Sequence, residues 1–199
     1  MTPSKVINRL LHWQPEVFSV TPLVRERCVL ATRVGIDVLA RFGIAAEPRP
    51  VIAGVWNAGY ERFRLARERD PNTPVPDDGW SVWAGLPREP GDRPLGPKQW
   101  NGHLVVYVPA RQLMLDMDFQ AFDRPAKGLH VPPAFAALWP SGSQIIARVL
   151  TAGIHAGLHA HYRRNDDNTA FRTAPDWTQD RDVLVDAVER AIRKGGPIP

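Results

Sequence analysis

A single cysteine, Cys28, stands in 199 residues. An internal disulfide is therefore impossible, which excludes the bridge-stabilised scaffolds of secreted proteins and leads us to expect a reducing, cytoplasmic setting. No stretch approaches the ~20 apolar residues of a membrane span. The opening MTPSKVINRLLHW lacks the apolar core, roughly 7–15 residues long, of a signal peptide. Charge of one sign is also scarce: 25 Lys and Arg face 21 Asp and Glu, a surplus of +4. The basic residues are scattered and often sit beside acids (RERC, RERD, DRD). A nucleic-acid reader gathers them on one face or segment, so that partner class is not expected. Neither GxxxxGK[ST] nor GxGxxG occurs, so no nucleotide cofactor is expected, nor any other cofactor.

What is present is a chain of 44% apolar residues, enough to bury a sizeable core. With about 150 residues per domain as a guide, residues 1–199 read as one domain. Val6, Ile7, Leu10 and Leu11 predict a short amphipathic helix over 4–12. Val24, Cys28, Ala31, Gly35, Val38 and Phe42 predict a longer helix within 22–42, capped at Thr21 and Pro22 and stopped by Gly43. Residues 50–57 read as a buried strand and 58–69 as a charged helix.

Between Asp70 and Trp100 lie seven prolines and four glycines around one strand-like piece, 79–85. Proline cannot continue a central strand or helix, so 70–100 reads as an irregular Pro/Gly/Trp-rich surface segment. Strands 103–108 and 113–118 then form a hairpin. The segment 123–144, with Pro125, Pro132, Pro133 and Pro140, reads as a loop. Residues 143–162 read as one strand-prone run, followed by a turn at 165–168, a short strand at 169–172 and a helix over 178–194. Helices first, hairpin-linked strands next and a closing helix predict an α+β fold on an antiparallel sheet.

The chemistry centres on the hairpin. A turn of two residues (110–111) or four (109–112) makes paired positions sum to 221, so His103 faces Asp118 and lies diagonal to Asp116. Strand side chains alternate, and all three then share one face. A thiol becomes a strong nucleophile beside a base, and a carboxylate on the far imidazole nitrogen orients that base. Cys28, His103 and either Asp116 or Asp118 supply that set. Read one by one, Cys28 suits core packing, His103 a strand edge and the aspartates a solvated surface.

The order Cys, His, Asp on helix, strand and next strand resembles the transglutaminase-like branch of the papain-like cysteine superfamily. The residues that carry the resemblance are Cys28 in ERCVLATRVGIDVLARFGI, His103 in WNGHLVVYV and Asp116 in LMLDMDF, within roughly 20–120. The resemblance implies a papain-like fold with the Cys-bearing helix packed on the sheet. It also implies Cys28 as nucleophile, His103 as general base and acid, and Asp116 as orienting carboxylate, with Asp118 in reserve. Papain-type proteases place a glutamine a few residues before the cysteine; here the nearest is Gln14, fourteen residues upstream. The implied activity is a thiol hydrolase or acyltransferase on an amide, peptide or acyl donor, its partner a peptide, protein or small acyl substrate.

Trp80, Trp83, Trp100 and Asn101 are candidate substrate-binding residues, although tryptophans also pin irregular loops to a core. His155, His159 and His161 would share one strand face, and an H-x-H pair there could hold zinc; a polar strand face is the plainer reading. A non-catalytic interaction protein that packs Cys28 in its core and binds a partner through 70–100 is the remaining alternative.

Overall fold

Apolar spacing organises the helices. In the computed structural model, which describes residues 1–19, 27–87, 100–127, 129–140, 149–154 and 157–195, α1 spans Pro3–Ser19 and buries Val6, Ile7, Leu10, Gln14 and Phe18 along one stripe. Helix α2 spans Arg27–Arg41 and buries Val29 to Thr32, Val34, Gly35, Val38 and Leu39. It stops where Gly43 takes φ 70°, a conformation cheap only for glycine. Helix α3 (Ala58–Arg67) starts at Asn57, whose side chain accepts from the Tyr60 N–H at 2.9 Å. The short α4 (Pro175–Thr178) leads to α5 (Asp182–Lys194), which buries Val185, Val188 and Ile192. α1, α2 and α5 close over Val106, Val108, Leu115 and Met117 of the sheet.

The sheet is antiparallel and runs β5-β4-β3-β1-β7-β6, with β2 also paired to β1. Its strands are β1 (Glu47–Trp56), β2 (Ser81–Ala84), β3 (His103–Val108), β4 (Leu113–Asp116), β5 (Phe135–Leu138), β6 (Val149–Gly153) and β7 (His159–Arg164). On one side, β1 pairs with β3 over 47–51 and then with β2 over 53–56; on the other it pairs with β7 over 51–56. Pro48 and Pro50 lie before β7 joins, and the Pro50 carbonyl takes the Asn165 N–H at 3.0 Å. A residue's N–H and C=O point the same way, so the prolines lack their N–H on the side where that ladder has not begun.

The sheet curls strongly. Strands about 4.8 Å apart would put β5 and β7 roughly 19 Å apart in a flat sheet. Yet Phe135 of β5 stacks on Tyr162 of β7 with ring centroids 6.2 Å apart and planes 7° apart. The inner face so formed is filled by Val51, Val55, Val105, Tyr107, Phe119, Phe122, Trp139 and Tyr162.

Several expectations need correction. The first helix reaches Ser19 rather than residue 12. The loop expected over 123–144 contains β5: proline density hid the four-residue strand Phe135–Leu138 between Pro133 and Pro140. Within the run 143–162 the described residues form two strands, β6 and β7, paired as a hairpin, with Gly157 at φ 71° and the Ile154 N–H donating to the Leu158 carbonyl (2.6 Å) where the chain turns back. Residues 170–173 form a 3-10 turn rather than a strand, and the last helix begins at Asp182. The expected Thr21–Pro22 cap lies outside the described residues, as do 88–99 of the Pro/Gly/Trp-rich segment. Among the described residues, no helix is long and apolar enough to cross a membrane.

One buried hydroxyl ties the two elements that matter most below. Leu104 lies outside the β3–β4 ladder, which covers only 106–108 against 113–115. The Thr32 hydroxyl of α2 donates to its carbonyl at 2.8 Å, with Thr32 itself fully buried. Thr32→Val keeps the shape and removes the donor, so we expect a loss of about 1–3 kcal/mol, measured by urea unfolding.

Candidate functional site

The N-terminal end of α2 passes the start of β3. Cys28 is half-buried there, against a small cluster in which Trp100 and Trp177 pack on Val29, Leu104, Phe171 and Ala174. His103 opens β3 and is 2% exposed; Asp116 closes β4 and is fully buried. His103 Nε2 lies 2.7 Å from Asp116 Oδ2. Cys28 lies near enough to act on the His103 imidazole as well. With Nε2 engaged by the carboxylate, Nδ1 is the nitrogen left for the thiol. Phe122 meets the imidazole edge-on, with centroids 5.2 Å apart. Burial pulls the His103 pKa down, but the charge and hydrogen bond of Asp116, with Cys28 behind them, carry it well above the ordinary histidine value.

The hairpin obeys the register that sums to 221, with Val106 opposite Leu115 and Val108 opposite Leu113, across the four-residue turn 109–112. Gln112 closes that turn in the left-handed region at φ 48°. His103 nevertheless engages the diagonal Asp116 rather than Asp118. β4 ends at Asp116, and Asp118 leaves the ladder at φ −134°, ψ 40° to start a 3-10 turn. Its backbone N–H instead donates to Asp116 Oδ1 at 3.1 Å.

Tyr162 completes the environment of Asp116, a contact that strand alternation gave no reason to expect. Its hydroxyl, on β7, donates to Asp116 Oδ2 at 2.9 Å inside the curled sheet. Burial, then the charge and hydrogen bond of Asp116, hold the phenol pKa well above 10, so it remains a donor. Only the sheet order reveals this pair, since the two residues are 46 apart in sequence.

Other candidates fall elsewhere. Gln14 is fully buried and its Nε2 donates to the Ala31 carbonyl at 2.7 Å, which ties α1 to α2. Trp100 belongs to the Cys28 cluster, and its Nε1 donates to Asn168 Oδ1 at 2.5 Å. Asn101 gives its side-chain N–H to the Leu86 carbonyl (2.9 Å), and its own carbonyl accepts from Asn168 Nδ2 (2.7 Å). Trp80 packs on the inner-face core. Trp83 lies over Gly54, so close that an added Cβ would stand 2.5 Å from the indole. It stacks on Trp56, as does His159, while His161 tilts against the same ring. His161 Nδ1 sits 3.0 Å from Thr151 Oγ1, and burial holds its pKa below the ordinary value. His155 lies outside the described residues, and among those described no group of three His, Cys, Asp or Glu side chains is placed to hold a metal ion.

No family model, curated protein or solved structure matches the chain.

Asp118 gives the site a testable pH signature. It is 5% exposed, and burial, reinforced by the Asp116 charge, pushes its pKa up to about 6 against the pull of His103, Arg27 and Gln120. Its folded pKa exceeds its unfolded one, so the folded state holds the proton more tightly and the penalty for charging Asp118 grows as pH rises from about 4 to about 6. Asp118→Asn is therefore expected to gain stability over the parent across that window. The gain should level off near 2–3 kcal/mol above pH 6 and be small below pH 4, as read by urea unfolding at several pH values.

Proposed function

We propose that this protein is a thiol hydrolase or acyltransferase acting on an amide, peptide or acyl donor, with Cys28 as nucleophile, His103 as general base and acid, and Asp116 as the carboxylate that orients it. One observation carries the reading: Cys28 and a fully buried Asp116 engage the same imidazole, with Asp116 Oδ2 at 2.7 Å from Nε2. The order of these residues on a helix, a strand and the next strand supports a place in the transglutaminase-like branch of the papain-like superfamily.

The chemistry follows from the contacts. The Cys28 proton passes to His103, whose raised pKa favours the imidazolium, and the resulting thiolate attacks the substrate carbonyl carbon, forming a C–S bond and a tetrahedral oxyanion. Collapse of that adduct breaks the bond to the leaving group, which takes its proton from the imidazolium. The acyl group then rests on Cys28 as a thioester. Water or an acceptor amine gives a proton to His103, attacks the thioester and expels the sulfur, which recovers its proton. Asp116 keeps Nε2 protonated and stabilises the imidazolium without taking its proton. Hydrolysis and transfer differ only in the acceptor that enters at the second step.

A single thiol makes the test clean. Incubation with p-nitrophenyl acetate should acetylate Cys28 and release one equivalent of nitrophenol in a burst. Cys28→Ala should abolish this with an unchanged circular dichroism spectrum. His103→Ala should slow iodoacetamide alkylation of the native thiol at pH 6.5 by about 10²-fold. Full esterase activity in Cys28→Ala, or alkylation that ignores His103→Ala, would sink the reading.

A further inference from the structure

Asp116 receives donors from three places. His103 Nε2 and the Tyr162 hydroxyl both meet Oδ2, at 2.7 and 2.9 Å, and the Asp118 N–H meets Oδ1 at 3.1 Å. The first is the base itself and the third is local backbone two residues away. The phenol alone reaches Asp116 from across the fold. Tyr162 is itself 1% exposed and stacked on Phe135, so its hydroxyl is held by ring packing as well as by the hydrogen bond.

We propose that Tyr162 is a positioning residue of this site: its phenol fixes Asp116 Oδ2 against His103 Nε2 and shares the carboxylate's charge, so that His103 can both take up and return a proton. This rests on the acyl-transfer reading above. A carboxylate bonded only to an imidazole in a dry interior would hold the imidazolium proton strongly, and a base that cannot release its proton cannot protonate a leaving group. A second donor on the same oxygen draws off part of that charge. It also removes one rotational freedom of the carboxylate about Cβ–Cγ.

Groups facing His103 are Asp116, Asp118 and Cys28, with Phe122 at its edge; Arg27 faces Asp118. The test follows the His103 imidazole through pH by NMR in the full chain, with the His103→Ala spectrum assigning its signal. Tyr162→Phe keeps the ring and removes the donor, so the His103 titration midpoint should rise by ~0.5 pH unit or more, about threefold in proton affinity. The same change made on an Asp116→Asn background should leave the midpoint where that background has it. Should Tyr162→Phe not fold, 3-fluorotyrosine in place of all three tyrosines supplies a stronger donor and should move the midpoint down. A folded Tyr162→Phe with an unmoved midpoint overturns the proposal while leaving Cys28 and His103 coupled. Alkylation of Cys28 that is indifferent to His103→Ala instead overturns the acyl-transfer reading on which it rests.

Discussion

A carboxylate with no access to water governs the interior of this sheet. Asp116 is fully buried, and an uncompensated ionised group there would cost several kcal/mol. It is tolerable because both oxygens are met: His103 and Tyr162 on one, the Asp118 backbone on the other. Each donor makes a structural demand. The imidazole must come from the first residue of β3, the amide from a chain that leaves β4 immediately after Asp116, and the phenol from β7, three strands away. Curvature of the sheet meets the last demand, and the aromatic filling of its inner face sustains the curvature.

Curvature in turn depends on β1, which among the described strands is the only one that holds three neighbours. Its first half pairs with β3 on one side; its second half pairs with β2 there and with β7 on the other. Gly54 lets the Trp83 indole lie on the outer backbone, where Trp56 and His161 pack against it and His159 stacks on Trp56. On the same strand, Val51, Ala53 and Val55 face inward to the core that surrounds Tyr162. The histidine-bearing face of β7 and the tyrosine-bearing face thus do different work on one strand. The outer packs on tryptophan, and the inner reaches the carboxylate.

Much of the site was legible in sequence because the hairpin is local. Alternation and a turn of even length were enough to put His103 and two aspartates on one face, and the observed pairing keeps that register. What decided between the aspartates was the end of β4, a backbone event with no side-chain pattern to announce it. Tyr162 escaped for a different reason: it lay in a run read only as strand-prone, and its partner is set by sheet order across 46 residues. The strands after residue 123 were harder still. β5 is four residues between prolines, and the alternation of Ile154, Leu158, Ala160 and Tyr162 with histidine and glycine runs on through the sequence and conceals the turn at Gly157. Gln14 illustrates the opposite limit. The resemblance asks for a glutamine before the cysteine, while the Gln14 amide serves the Ala31 carbonyl.

The position of β7 late in the chain has a consequence for synthesis. A nascent chain contains Cys28, His103 and Asp116 before residues 159–164 exist, so the thiol, the imidazole and the carboxylate are all present in a polypeptide that cannot yet close its sheet. Until β7 is made, one side of β1 over 51–56 has no neighbour and the carboxylate has no phenol. Non-local pairings of this kind form late in folding, after the entropy of closing the intervening chain has been met. The carboxylate therefore gains its full set of donors only when translation has passed β7, which ties the maturation of the site to a late stage of synthesis.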